Sequence, residues 1–138
     1  MKTKIVTFGE ILLRISKPEY QRLFQGHRML GNYGGSEANT AISLACMGDN
    51  VEYVTRLPHG AMGEAALMHL REFGLKVSHV VRGGERLGTY YFEEAVAMRN
   101  SHVIYDRKNS AMYSLKRGMI DWEKVFADAA VFHCSGIT

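Results

Sequence analysis

The sequence predicts an α/β fold, a parallel sheet flanked by helices with a small additional β layer. Three observations predict it. Short β-branched runs alternate with glycine-terminated helical stretches from Lys4 to Val81. Two aromatic-rich segments, Thr89 to Ala97 and His102 to Arg107, then interrupt that alternation as a hairpin. Val131 to Cys134 finally returns to the strand pattern.

Each element has its own signal. KIVTF at Lys4–Phe8 is a β-branched and aromatic run ended by Gly9-Glu10, which reads as a buried strand. Ile11 to Ile15 reads as a second strand beyond a bend at Gly9. Lys17 to Gly26 is polar and holds a proline, so it reads as loop, and Arg28 to Tyr33 as a short returning strand. Ser36 is a candidate N-cap for a helix whose Ala38, Ala41, Ile42, Ala45 and Cys46 share one face, with Gly48 as its stop. VEYVT at Val51–Thr55 alternates as a strand, and Arg56 to Gly60 is loop. A second helix runs from Ala61 to Phe73, burying Met62, Ala66, His69, Leu70 and Phe73, and Gly74 closes it. Lys76 to Val81 reads as a strand. Strands alternating with helices in this way imply parallel pairing with right-handed crossovers. Asp121 is placed to cap a short helix over Trp122 to Phe126.

Composition excludes several classes. The 138 residues are 46% hydrophobic and 22% charged, enough for one domain with a core and unlike a disordered chain. No apolar run approaches the roughly 20 residues of a membrane helix. No signal peptide follows Met1 to Lys4, so a cytoplasmic location is expected. The net charge of +3 comes from scattered lysines and arginines rather than a basic patch, which argues against nucleic acid as a partner. Cys46 and Cys134 fit no metal spacing and are expected to be buried thiols. The six histidines form no HxH or HxxxH pair, and no metal site is expected.

Three stretches could carry chemistry. In NYGGSEANTA, Gly34 and Gly35 immediately precede a helix, where free N–H groups and partial positive charge suit a hydroxyl-rich or anionic ligand. Asn39 can add a donor and an acceptor from the first turn. Equally, the two glycines can be a tight turn and Asn39 a local helix-start residue. The pattern is neither GxGxxG nor GxxxxGK[ST]. In VIYDR, strand alternation puts Tyr105 and Arg107 on one face, a platform for a small acid, since arginine grips a carboxylate through two hydrogen bonds. The competing reading pairs Arg107 with Glu93 or Glu94 across the hairpin. In GTYYFEE, Tyr90 and Phe92 point one way and Tyr91 the other, so both faces of that strand need cover, from a ligand and a partner subunit or from a sandwich. Glu10, Asp49, Asp121 and Asp128 form no evident acid/base pair, and no Ser-His-Asp set can be assembled.

Taken together, GGSEANTA, GTYYFEE, VIYDRKNSA and HCSGIT resemble, in this order, segments of the ribokinase-like (PfkB) carbohydrate kinases, and more closely the 2-keto-3-deoxygluconate kinases. The resemblance spans essentially all 138 residues. It implies a ribokinase-like parallel sheet with a small β-sheet lid, to which about 11–33 and 88–108 contribute, within one partial domain. It implies that Gly34 and Gly35 approach a sugar acid by their backbone, that Tyr90, Tyr105 and Arg107 line its pocket from the lid, and that Asn39 lies beside it. It also implies a homodimer through the lid, and ATP with Mg²⁺ as cofactors of the complete enzyme. Two departures stand out. RLPHGAMG has Pro58 and Gly60 where many members have Gly and Asp, and Glu37 replaces a commonly small residue. The Gly-Ala-Gly-Asp segment that supplies the family's anion hole and base is absent from these 138 residues. The expectation is therefore the sugar-binding N-terminal half of such a kinase, binding neither ATP nor Mg²⁺ and inactive alone. The alternatives are a non-catalytic sugar-binding or dimerisation module, or a kinase for a neutral sugar such as fructose.

Overall fold

A computed structural model of the protein describes residues 3–136. Ile137 and Thr138, the end of the HCSGIT segment, lie outside the described residues. A central strand, β1 (Lys4–Phe8), pairs in parallel with β4 (Asn50–Val54) on one side and β9 (Ala129–His133) on the other. Between β1 and β4 the chain makes β2 (Leu12–Ser16), β3 (Leu30–Gly34) and helix α1 (Ser36–Cys46). After β4 come β5 (Arg56–Leu57), helix α2 (Ala61–Glu72), β6 (Val81–Arg82), β7 (Thr89–Glu93), β8 (His102–Asp106) and helix α3 (Trp122–Phe126). β2, β3, β7 and β8 form a second, four-stranded sheet in the order β3-β2-β7-β8. β2 runs antiparallel to β3 and parallel to β7, and β7–β8 is the antiparallel hairpin.

The alternation of β4 explains the layering. Val51 and Tyr53 face a core shared with Ala38 and Ala41 of α1 and Ala66, Leu67 and Leu70 of α2. Val54 faces the other side, where Val6, Ile120 and Val125 close a second cluster under α3. At β1 and β4 the parallel sheet is thus covered on both faces, whereas the edge strand β9 leaves Val131 and Phe132 exposed. Phe8, Trp122, Phe126 and Phe132 extend the second cluster through ring contacts of 5.1–6.0 Å. Among the described residues no helix is long and apolar enough to cross a membrane.

Several expectations need correction. Helix α1 starts at Ser36, and its N-cap is Gly35, with no side-chain cap. The buried stripe of α2 is Gly63, Ala66, Leu67 and Leu70, one step round from the expected face, and Met62 is 46% exposed. The strand expected over Lys76 to Val81 shrinks to a bridge at Lys76 and the two residues of β6. Val77 and Val80 there pack on the core from a loop, so their apolar character reflects burial and not strand pairing. Both cysteines are exposed, not buried. Cys46 sits at the last position of α1, past the Ala38–Ala41 stripe, and Cys134 lies just beyond the edge strand β9. Asp121 does cap α3, accepting the Lys124 N–H at 3.3 Å.

Candidate functional site

The chain passes between the two sheets four times, and all four passages meet at Glu10. The residue follows β1 directly and is 7% exposed. Its Oε2 accepts from Arg107 Nε at 2.6 Å, and its Oε1 accepts from Ser110 Oγ at 2.7 Å, both just beyond β8. At the entry to β7, a Cβ on Gly88 would stand 2.3 Å from Glu10 Oε1. At the exit from β3, a Cβ on Gly35 would stand 2.3 Å from the Glu10 carbonyl oxygen, a backbone atom that cannot swing away. Close approach therefore requires glycine at Gly35, while at Gly88 a methyl would have to displace the ends of the Glu10 and Leu12 side chains.

Above this junction lies a cavity of about 290 Å³. Its floor is the start of α1, with Gly35, Ser36, Glu37 and Asn39, the end of the helix that carries partial positive charge. Its roof is one face of the second sheet. Arg14, Tyr90 and Tyr105 stand in register across β2, β7 and β8, so they share that face. The Tyr90 and Tyr105 rings are 5.8 Å apart, and the Arg107 guanidinium lies 6.0 Å from the Tyr105 ring centre. Leu12, Phe92 and Val103 complete the wall. The cavity opens at the carboxyl ends of the parallel strands, where open α/β sheets place their ligands. A larger hollow of about 800 Å³ beside Lys4, Asn50 and Lys76 lies at the amino ends of β1 and β4 and lacks this convergence of polar groups and aromatic rings.

The cavity brings together five of the six residues singled out from sequence, namely Gly35, Asn39, Tyr90, Tyr105 and Arg107. Gly34 is not in its lining. It is buried beneath, paired with Leu12, and its missing Cβ leaves room for the Tyr90 hydroxyl 3.2 Å from where that atom would be. Arg107 pairs with Glu10 and not with Glu93 or Glu94. Glu93 is instead buried and accepts the Leu23 N–H at 2.8 Å, tying down the loop before β3.

Four further side chains line the cavity without having been assigned to it from sequence: Glu10, Arg14, Glu37 and Phe92. Glu10 and Arg107 are 97 positions apart, so no local spacing links them. Arg14 gave a faint signal, as the one charged residue inside an otherwise apolar strand run. Glu37 is 3% exposed, and its Oε1 accepts from the Ser135 N–H at 2.8 Å, joining the start of α1 to the end of β9. The two carboxylates act together on Tyr53. Burial, reinforced by Glu37 and more weakly by Glu10, holds its phenol well above the usual tyrosine range. It stays protonated and donates to the Gly9 carbonyl at 2.9 Å, bracing the turn that presents Glu10.

A resident metal ion would need a converging set of ligands among the described residues. No group of three or more His, Cys, Asp or Glu among them is placed to hold a metal ion. The two cavity carboxylates are already engaged, Glu10 by Arg107 and Ser110 and Glu37 by a backbone N–H. No step through a metal or nucleotide is built from them.

A parallel sheet with a polar cavity at its carboxyl edge, roofed by a second β-sheet, is the layout in which open α/β proteins place small-molecule sites. The chain belongs to the pfkB family of carbohydrate kinases, which it matches over residues 2–138. It is 31% identical to the 2-dehydro-3-deoxygalactonokinase of Haloferax volcanii over 138 residues, 100% of this chain and 43% of that protein. It is 29% identical to the 2-dehydro-3-deoxygluconokinase of Bacillus subtilis, over 99% of this chain and 42% of that one. Its fold superposes on the crystal structure of 2-dehydro-3-deoxygluconokinase from Thermotoga maritima with a TM-score of 0.96 and 48% identity, covering 99% of this chain and 42% of that structure. The fold is therefore ribokinase-like, and the chain spans about two-fifths of the length of these relatives.

Proposed function

We propose that this chain is the sugar-acid-binding part of an ATP-dependent kinase that phosphorylates a hydroxyl of 2-keto-3-deoxygluconate or a close relative. The observation that carries this reading is the cavity itself. It gathers a helix start, two tyrosines and two arginines from four separate stretches of chain around a space suited to one small ligand. In this reading the backbone at Gly35 and the Asn39 amide meet the sugar from below, and Tyr90, Tyr105 and Arg107 meet it from above. Glu10 holds Nε of Arg107, which leaves the two Nη groups for the ligand. The second sheet then acts as a lid, and a ligand touching both sheets fixes it against the α/β layer.

Phosphoryl transfer rests on positioning and on stabilising charge at the transferred group. The 138 residues carry no Gly-Ala-Gly-Asp segment and no fitting metal site among those described, so the chain by itself binds sugar acid without turning it over. The outward face of the lid, with Tyr91 in register with an exposed Ile104, is the surface on which a second copy pairs. The partner set is thus a small acid and a second subunit, with no nucleic acid or membrane, and the location is cytoplasmic.

Isothermal titration of the purified chain tests the reading. Binding of 2-keto-3-deoxygluconate at least about 10-fold tighter than fructose is expected, since a charge-assisted hydrogen bond contributes about 1.5–3 kcal/mol. Equal affinity, or no heat with either sugar, sinks it, and ATP-dependent consumption of the acid by the same 138 residues sinks the claim of inactivity.

A further inference from the structure

The cavity holds two arginines, and their surroundings differ. Arg107 is paired, with Glu10 only 2.6 Å from its Nε. Arg14 forms no hydrogen bond or ion pair with any described residue, and its Nε is buried without a partner. Arg56, Arg82 and Arg99 also bury an unpartnered Nε, but each holds a backbone carbonyl through an Nη. Arg14 has only the Phe92 ring, 5.8 Å from its Cζ. Of the carboxylates lining the cavity, Glu10 is paired with Arg107 and Ser110 and Glu37 accepts the Ser135 N–H, and neither forms an ion pair with Arg14. The cavity therefore contains one guanidinium that is partly buried, lies over an aromatic ring and has no ion-pair partner among the described residues.

A guanidinium in that condition is unfavourable unless something anionic completes it. We propose that Arg14 is the specificity-determining residue of this cavity, receiving the ligand's carboxylate, while the Glu10-neutralised Arg107 grips hydroxyl or keto oxygens without distinguishing acid from neutral sugar. This rests on the sugar-acid reading above and assigns the recognition of the acid group within it.

The position in the sheet supports the assignment. Arg14 lies in the Tyr90–Tyr105 row, in register also with Asn32 on β3, whereas Arg107 comes two residues after Tyr105, beyond the end of β8. The two cations thus address different ends of a ligand lying along the strands. Fructose provides the neutral probe, because it keeps the keto group and carries a hydroxymethyl where the acid carries its carboxylate.

The test is calorimetric titration of 2-keto-3-deoxygluconate and fructose into the chain and into Arg14→Met, Arg14→Lys and Arg107→Met, with circular dichroism confirming the fold of each. Arg14→Met, which keeps an apolar stem over Phe92, should weaken the acid about 10- to 100-fold and leave fructose within about 3-fold. Arg14→Lys should retain part of the acid preference, and Arg107→Met should weaken both sugars while keeping the acid-to-fructose ratio. An acid preference that survives Arg14→Met and collapses in Arg107→Met overturns the assignment and leaves the sugar-acid reading standing. Equal losses for both sugars in Arg14→Met also overturn it, since packing would then be the cause. An unmodified chain with no acid preference removes the underlying reading and the assignment with it.

Discussion

Glu10 shows how much a single side chain can organise. One carboxylate receives Arg107 and Ser110, and its backbone and side chain leave no space for a Cβ on Gly35 or Gly88. Converting it to Gln leaves the shape and removes the charge opposite the Arg107 guanidinium. The carboxylate is almost fully buried but the arginine side chain is 27% exposed, so solvent screens part of the loss. Glu10→Gln should cost about 1–3 kcal/mol of stability, read as a lower urea midpoint at unchanged slope. Gly35→Ala should cost a similar about 1–3 kcal/mol, because its new methyl meets a backbone oxygen that can only move with the chain. A Gly35→Ala midpoint equal to that of the unmodified chain would show that this approach is looser than drawn. Sequence reasoning found the glycines and Arg107 but not Glu10. Glycine before a helix is a local signal, whereas Glu10 acquires its role only when the chain beyond β8 is folded back onto the turn after β1.

At the scale of elements, the strands and helices with a periodic stripe or a cap were readable in advance. β1, α1, β4, α2 and the β7–β8 hairpin appear within a few residues of where periodicity put them. The failures share a cause. β6 and the loop before it looked like one strand because Val77 and Val80 are apolar, but they are apolar to plug a core from a connection. Helix α3 is five residues long and depends on its ends. The hydrogen bond from Lys124 lowers the pKa of Asp121, and the same bond raises that of Lys124. The sign follows for each. Asp121's contribution is present above the ordinary aspartate range and fades as pH falls through its depressed folded value. Lys124's is present below the ordinary lysine range and fades as pH rises through its raised one. Urea midpoints of the chain and of Asp121→Ala should therefore differ at neutral pH and converge in acid. A difference that persists below both aspartate values would assign the effect to something other than this charge. The cysteines give a simpler check. Both thiols should react with a thiol reagent in the native protein without denaturant, because both are exposed.

For the molecule as a whole, the three-stranded and the four-stranded sheet share one chain, and the four passages between them converge on one residue, Glu10. The second sheet is otherwise held by few contacts, chiefly Leu13 and Tyr33 against the main core and Arg86 bidentate to Asp106 at 2.8–2.9 Å. A ligand seated in the cavity adds contacts from Asn39 below to Tyr90 and Tyr105 above. Amide exchange in β7 and β8 should slow on adding 2-keto-3-deoxygluconate while exchange in β1 and β4 changes little. Uniform slowing across both sheets would instead indicate global stabilisation by mass action. The sequence could announce both sheets, since alternation and aromatic pairing are local, but not their mutual placement, which depends on contacts nearly a hundred residues apart.

The aromatic cluster at the far edge of the parallel sheet gives the chain an optical property. Trp122 is its single tryptophan, wedged among Phe8, Phe126 and Phe132 where β9 leaves Val131 and Phe132 about half exposed. Its fluorescence therefore reports on that edge and on little else. Any polypeptide that lies down along β9 would strip water from the indole's surroundings and shift its emission to the blue, whereas a sugar entering the cavity would leave the colour unchanged. The protein thus carries its own spectral label, which separates events at its sheet edge from events at its binding site.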